Sequence, residues 1–317
     1  MIPTSSKRPE DVAPQPPRVH AIVVTWNGAE LLPQCLQALQ AQDAAVRITV
    51  ADNASTDGTA ALLARDFPGV AHLLLPANLG YGRANNEAMR LALAGGAEFV
   101  ALVNNDVTVA PDWASRLLRA ADAQARAGLF TGTLLFHGEE TVNSTGLEID
   151  AVGRARDRDF RVPLSRLARE DGPVAGVSGG AALLRASMLR EVGLFDPAYF
   201  AYYEDVDLSL RAARAGWTAL YVRGATARHR FGASFRPGSP LQRYLLGVGH
   251  LRTLALHQPL LKAAALVPLT VAWRAAVKAP LELLRRRPAL AWAELRAAGA
   301  GAAAALRALS DRSLRRR

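Results

Sequence analysis

Cysteine is almost missing from this chain: Cys35 stands alone among 317 residues. An internal disulfide is excluded, and so is a cysteine-based zinc site. Leu31, Leu32, Leu36 and Leu39 surround Cys35 at helical spacing, which marks it as a core residue. The first 18 residues are Pro-rich and polar, without the apolar segment that a signal peptide needs. Residues 1–18 read as a disordered lead-in, and the expectation that follows is a cytoplasmic protein. The most apolar run, Ala263–Trp273, has 11 residues and contains Pro268, so it reads as too short to span a bilayer. A G-x-G-x-x-G turn is also missing: Thr25-Trp26-Asn27-Gly28 follows the first predicted strand instead, which argues against a dinucleotide-dependent dehydrogenase. A Gly- and basic-rich phosphate loop is missing there too, against a nucleotidyltransferase. Acids are scarce in one region. From Arg243 to the C-terminus 14 Lys/Arg face three acids, so the net charge of +10 belongs to the last quarter of the chain.

What is present has globular proportions, with half the residues apolar and about a fifth charged. The length allows one large domain, 19–240, and an appendage, 241–317. The first half alternates strand and helix patterns. Val19–Thr25 is a continuous apolar run, as in a strand buried on both faces. Helical spacing follows over Ala29–Ala41, then a strand over Val46–Ala51, the turn Asp52–Thr59 and a helix to Asp66. Val70–Leu75 and Glu98–Val103 read as the next strands, with a helix to about Ala94 between them and another over Asp112–Ala127. Strands separated by helices imply an α/β fold with a mostly parallel sheet and right-handed crossovers. Residues 136–169 lose any clean period and suggest an irregular hairpin or lid. Val174–Arg185 is strand-like around Ser178-Gly179-Gly180, small residues that suit either a close backbone approach or a bulge.

Polar residues gather at the C-terminal ends of the predicted strands: Asn27, Asp52, Asn53, Asn78, Gly80 and Asp106. In open α/β sheets ligands bind along that edge. Asp52 is placed to accept a hydrogen bond from a pyrimidine N3–H. The turn Asn104-Asn105-Asp106 is rich in oxygen and suits Mg²⁺ or Mn²⁺ held by one carboxylate, with water and phosphate completing the shell. His229 follows the last strand of the core as a metal ligand, a phosphate donor or a structural histidine. Farther along, Gly193–Gly216 joins an aromatic loop to a helix that begins with Glu204, Asp205 and Asp207 and stops at Gly216. The helix dipole favours the ionised forms of these acids. They either cap the helix or supply a general base beside aromatic walls.

In order along the chain stand VVTWNG (23–28), ADNASTDGT (51–59), NLGYGRANNEAM (78–89), LVNNDV (102–107), SGGAALLR (178–185), the stretch 193–217 and ARHRFGAS (227–234). Together they resemble family 2 glycosyltransferases of the GT-A fold, the rhamnosyltransferase-like branch in particular. That resemblance implies roles. Thr25, Asn27, Asp52 and Asn78 would hold the donor nucleoside, with Gly80 and Gly82 letting the chain approach it and Asn104 beside them. Asp106 would be the metal-binding end of a DxD motif whose first Asp is Asn104 here, with His229 completing the metal or diphosphate site. Asp205, with Glu204 beside it in an ED motif, would be the catalytic pair, Asp205 as base. The implied reaction is inverting transfer of a sugar, rhamnose foremost, from a dTDP- or UDP-linked donor to a lipid-linked or polymeric glycan.

A retaining glycosidase would also use paired carboxylates, but leaves the nucleotide-type turns unexplained. Beyond Pro240 the composition turns to Ala, Leu and Arg, with Trp273 and Trp292 among them. This suits either an interfacial helix pair at the inner face of a membrane or helices packed on the main domain with a solvated basic face. Arg285-Arg286-Arg287 and Arg315-Arg316-Arg317 would attract anionic headgroups. No nucleic-acid motif accompanies the charge, so a nucleic-acid partner is not expected. A non-catalytic membrane scaffold is the remaining rival.

Overall fold

The computed structural model describes residues 17–232 and 237–314. Most of the polar lead-in, the Arg315–Arg317 run and the last two residues of ARHRFGAS lie outside the described residues. The chain begins with β1 (Val19–Thr25), α1 (Leu32–Gln40), β2 (Val46–Asp52), α2 (Thr59–Asp66), β3 (Ala71–Leu74) and α3 (Tyr81–Ala94). Next come β4 (Phe99–Val103), β5 (Val107–Val109), α4 (Trp113–Ala123) and β6 (Ala127–Phe136). Short strands β7 (Val142–Ser144), β8 (Leu147–Ile149), β9 (Ala155–Asp157) and β10 (Gly172–Val174) precede β11 (Ala181–Arg185) and α5 (Ala186–Val192). The acidic helix α6 (Glu204–Arg214) and the strand β12 (Thr218–His229) close the sheet region.

The large sheet runs β10-β12-β6-β11-β4-β1-β2-β3. β4, β1, β2 and β3 pair in parallel, as do β6 and β12, while β11 lies antiparallel between the two sets. Strand alternation divides the core in two. Val19, Ala21 and Val23 face Leu32, Leu36, Trp113 and Leu117 on one side. Ile22, with Val100 and Leu102, faces Met89, Met188, Leu208 and Ala212 on the other. Helices on both faces of a mostly parallel sheet are therefore the observed architecture.

Two sheet elements differ from the sequence expectation. β6 is buried along its whole length and was not anticipated, because its AGLFTGTLLF sequence mixes Gly and Thr into an apolar run. Gly132 serves close packing there: a Cβ on it would collide with the Ala225 carbonyl of β12. The last core strand also runs through Thr218–His229, so that His229 is the final residue of β12 and does not follow the strand as expected.

The C-terminal helices are α7 (Pro240–His257), α8 (Leu260–Trp273), a π-helical turn over Arg274–Lys278, α9 (Ala279–Leu284) and α10 (Pro288–Leu314). Ser239 caps α7 by accepting the Gln242 N–H at 3.2 Å, and Pro240 occupies the first turn, where its missing N–H costs nothing. α8, the π turn and α9 form one helix of 25 residues, Leu260–Leu284, with a window of mean hydropathy 1.5 of which only 17% is buried. This corrects the 11-residue estimate: Pro268 sits inside the helix without ending it, and by length and composition the segment is long enough to cross a membrane. The basic charge is partly internal. Fully buried Glu294 receives Arg274 at 2.5 Å, Arg243 at 3.3 Å and Lys278 at 3.6 Å.

Candidate active site

The carboxyl ends of β1, β2 and β4 and the N-terminus of α6 converge on one edge of the sheet. Loop 195–203 is clamped there between α3 and α7. Asn86 of α3 accepts the Phe195 N–H at 3.0 Å and donates to the Phe195 carbonyl at 2.8 Å. On the other side Tyr199 Oη and Thr253 Oγ1 of α7 share a hydrogen bond of 2.8 Å, and Arg252 pairs with Asp196 at 2.5 Å. Gly80 and Gly82 face this loop. At Gly80, with φ +81°, a Cβ would collide with the Phe200 carbonyl and stand 2.7 Å from its ring. The close approach these glycines allow in the structure is that of the aromatic loop.

The loop delivers Glu204 and Asp205 through two successive left-handed residues, Tyr202 (φ 67°) and Tyr203 (φ 75°). Asp205 accepts the Gly179 N–H at 3.0 Å on one oxygen and the Val206 N–H at 2.8 Å on the other. The Ser178-Gly179-Gly180 turn is threaded between two sides of the site. Gly179 accepts from Tyr81 Oη at 2.7 Å, and the Gly180 carbonyl accepts the Asn104 N–H at 2.9 Å. Burial pushes the Asp205 carboxyl above the ordinary range even though backbone N–H groups oppose the shift. Burial, with the neighbouring Asp205 charge, raises Glu204 well above it, and Glu204 Oε2 has no hydrogen-bond partner. Here the desolvation of two adjacent buried acids outweighs the helix dipole, contrary to the sequence expectation. Asp207 differs. Burial would raise it too, but His257 at 2.8 Å and Arg211 at 2.8 Å hold it below the ordinary value, so it is a structural ion-pair member.

Glu204 and Asp205 line a cavity of about 250 Å³ together with Asn104, Asp106 and His229. Antiparallel pairing of β12 with β5 sets His229 opposite Val107, which brings His229 Nε2 to 3.2 Å from Asp106 Oδ1. His229 Nδ1 lies 2.8 Å from Asn143 Oδ1. A proton on Nδ1 donated to Asn143 leaves the Nε2 lone pair facing the Asp106 carboxylate. Two acceptors facing one another at that distance suit a shared cation or a shared proton. Among the described residues no group of three or more His, Cys, Asp and Glu is assembled to hold a metal. The donor set fits a divalent ion that takes its remaining ligands from water and phosphate.

Thr25, Asn27, Asp52 and Asn78 do not line this cavity; they shape the neighbouring strand-end loops. Thr25 Oγ1 accepts from Asn105 at 2.9 Å, Asn27 Oδ1 accepts the Thr56 N–H at 2.8 Å, and Asn78 Oδ1 accepts the Gly80 N–H at 3.0 Å. Fully buried Asp52 accepts the Ser55 N–H at 2.8 Å through Oδ1. Its Oδ2 makes no hydrogen bond and faces His72 Nε2 at 3.5 Å.

Sequence reasoning missed Asn143 and Asp157. Both lie in the stretch without periodicity; β7, paired with β6, carries Asn143 to the cavity wall, and β9, paired with β8, carries Asp157 there. Burial pushes Asp157 up to about 6, and the Asp205 charge adds to the effect.

Solved structures share this architecture. A mannosyltransferase from Pyrobaculum calidifontis, in complex with GDP-Man and Mn²⁺, superposes at a TM-score of 0.53 with 22% identity, covering 96% of this chain and 91% of that one. GalNAc-T7 with UDP, GalNAc and Mn²⁺ gives 0.58 at 13% identity, over 77% of this chain and 48% of that one. The fold is GT-A, and the protein is a glycosyltransferase. Residues 20–193 match the model of glycosyl transferase family 2, and the chain belongs to that family. Over 229 residues it is 33% identical to an N-acetylglucosaminyl-diphospho-decaprenol L-rhamnosyltransferase of Mycobacterium tuberculosis, covering 66% of this chain and 74% of that one.

Proposed function

We propose that this chain is an inverting, metal-dependent transferase that moves a hexose, rhamnose foremost, from a dTDP- or UDP-linked donor to a hydroxyl of a diphospho-lipid-linked glycan. The observation that carries the proposal is the placing of Asp205 on one wall of a cavity whose other side holds Asp106 and His229. Asp205, with its oxygens fixed by two backbone N–H groups, takes the proton of the acceptor hydroxyl. That oxygen forms the new bond to the anomeric carbon as the bond to the nucleoside diphosphate breaks. A single displacement inverts that carbon. Asp106 and His229 would hold Mg²⁺ or Mn²⁺, which when bound neutralises charge on the diphosphate. Thr25, Asn27, Asp52 and Asn78 would frame the nucleoside, with Asn104 at the junction with the cavity and Gly80 and Gly82 beneath. Glu204 keeps the environment of the base apolar and charge-poor while it remains protonated.

The donor chemistry is supported by the family and by neighbours solved with nucleotide sugars and Mn²⁺. The acceptor class is supported by the relative, whose name specifies a diphospho-decaprenol acceptor. Membrane contact is supported by the outer face of Leu260–Leu284, where Leu261 is 87% and Leu284 80% exposed, and by the basic C-terminal quarter. We therefore place the enzyme at the cytoplasmic face of a membrane, peripherally bound. Calorimetry with dTDP-, UDP- and GDP-sugars, with and without Mn²⁺, tests the donor half. Product analysis with a short prenyl-diphospho-N-acetylglucosamine tests the acceptor half and the anomeric outcome. Metal-independent donor binding, or a product with retained configuration, refutes the proposal.

A further inference from the structure

The irregular stretch after β7 forms a hairpin, β8–β9, whose two ends touch different parts of the molecule. In the hairpin Leu147 pairs with Asp157 and Ile149 with Ala155. At its inner end Asp157 and Arg156 line the cavity that also holds Asp205. Its outer end lies on the C-terminal helices. The Ala151 carbonyl accepts from Lys262 Nζ at 2.7 Å, and the Val152 carbonyl from His250 Nε2 at 3.0 Å. Arg154 stacks over the ring of Trp273 at 5.1 Å. Lys262 and Trp273 belong to the helix whose outward face is apolar. Between them the Ala155 N–H donates to Tyr203 Oη at 3.4 Å, which ties the hairpin to the residue preceding the catalytic pair.

This arrangement has a direction. The donor-side residues come from the ends of β1, β2 and β4, whereas the hairpin approaches Asp205 from the helical side. Asp157 at the cavity is three positions on from Arg154 at the apolar helix. At about 3.3 Å per residue that is roughly 10 Å, about the reach of one sugar ring and a diphosphate. Resting on the lipid-linked acceptor of the preceding reading, we propose that the β8–β9 hairpin is the acceptor's guide. Asp157 binds a hydroxyl of the acceptor sugar and turns the reacting hydroxyl toward Asp205, and Arg156 holds the acceptor's diphosphate. Arg156 is suited to that role by its exposure: its present partner, Glu148 at 2.8 Å, is itself on the surface, and a surface pair gives way to a diphosphate at little cost. Asp157 stands at the cavity wall, hydrogen-bonded to the Ser144 side chain and within electrostatic reach of His229; a carboxylate has lone pairs to spare beyond that bond, so a sugar hydroxyl would be a favourable further partner.

The test compares full-length Asp157→Asn and Arg156→Gln with the wild type. Two acceptors are used: short prenyl-diphospho-N-acetylglucosamine, and the same sugar on an alkyl chain without the diphosphate. Asp157→Asn is expected to raise the KM for both acceptors about tenfold or more, with donor KM and calorimetric donor affinity unchanged. Arg156→Gln is expected to raise KM for the diphosphate acceptor only. An acceptor KM within twofold of wild type in Asp157→Asn, or weakened donor binding by the folded variant, overturns the assignment. Should the Asn variant not fold, Asp157→Ser is measured in its place against the same criteria. Wild-type protein that transfers sugar to neither acceptor refutes the proposed function itself, whereas an active wild type with an indifferent Asp157→Asn refutes the acceptor guide alone.

Discussion

Replacing Asp205 by Asn is the most direct trial of the chemistry. The side chain keeps its shape but loses its basicity. A positioned general base contributes about 10²–10⁴-fold, so kcat should fall by that factor, about 2.7–5.4 kcal/mol of barrier. The structure also sets a cost in stability. Asp205 accepts one backbone N–H on each oxygen, from Gly179 and from Val206. An Asn amide offers a single oxygen, so its NH₂ must face one of those N–H groups, at a cost of about 1–3 kcal/mol. Denaturant unfolding measures that loss separately, and calorimetry establishes that donor binding survives. The pH profile adds an independent readout. Burial raises the Asp205 carboxyl above its ordinary value, so wild-type kcat/KM should climb through an acid limb displaced upward from the usual carboxylate range. In the Asn variant this limb should vanish. A variant that turns over within tenfold of wild type and keeps the limb would show that another group takes the proton.

Asp106→Ala should abolish metal-dependent donor binding, and His229→Ala should weaken it about tenfold or more, both read by calorimetry with and without Mn²⁺. Gly80→Ala places a Cβ against the Phe200 carbonyl at φ +81°; about 1–3 kcal/mol of stability should be lost in denaturant unfolding, along with the set of the aromatic loop. Glu204→Gln should reduce the pH dependence of stability. Burial raises the native Glu204 pKa, so its contribution is full below the unfolded value of about 4.3 and is lost as pH rises through the native value; the variant should therefore gain most over wild type at alkaline pH. Leu261→Asp with Leu284→Asp should abolish co-sedimentation with anionic vesicles and leave donor binding in solution intact.

The strand-end loops proposed for the donor were more legible than the hairpin proposed for the acceptor, and the reason is physical. Parallel strands buried on both faces announce themselves as apolar runs, and the loops after them must carry Asn, Asp and Gly to turn the chain and meet a ligand. Asn27, Asp52 and Asp106 could therefore be picked out from local pattern, as residues at strand ends. Pairing across the sheet is not local. Nothing near His229 states that β12 will run antiparallel to β5 and set its last residue against Asp106. Nor does anything near Gly80 say that its missing side chain makes room for Phe200. The hairpin carrying Arg156 and Asp157 is harder still. Its strands have three residues each, too few to show a period. Its partners are Tyr203, His250, Lys262 and Trp273, up to more than a hundred residues away in the chain. A surface that must fit a variable glycan has no need of the regular pattern that a nucleotide-binding sheet imposes. The local pattern therefore marks the strand-end loops that we propose hold the donor, and only the folded chain brings forward the hairpin residues that we propose choose the acceptor.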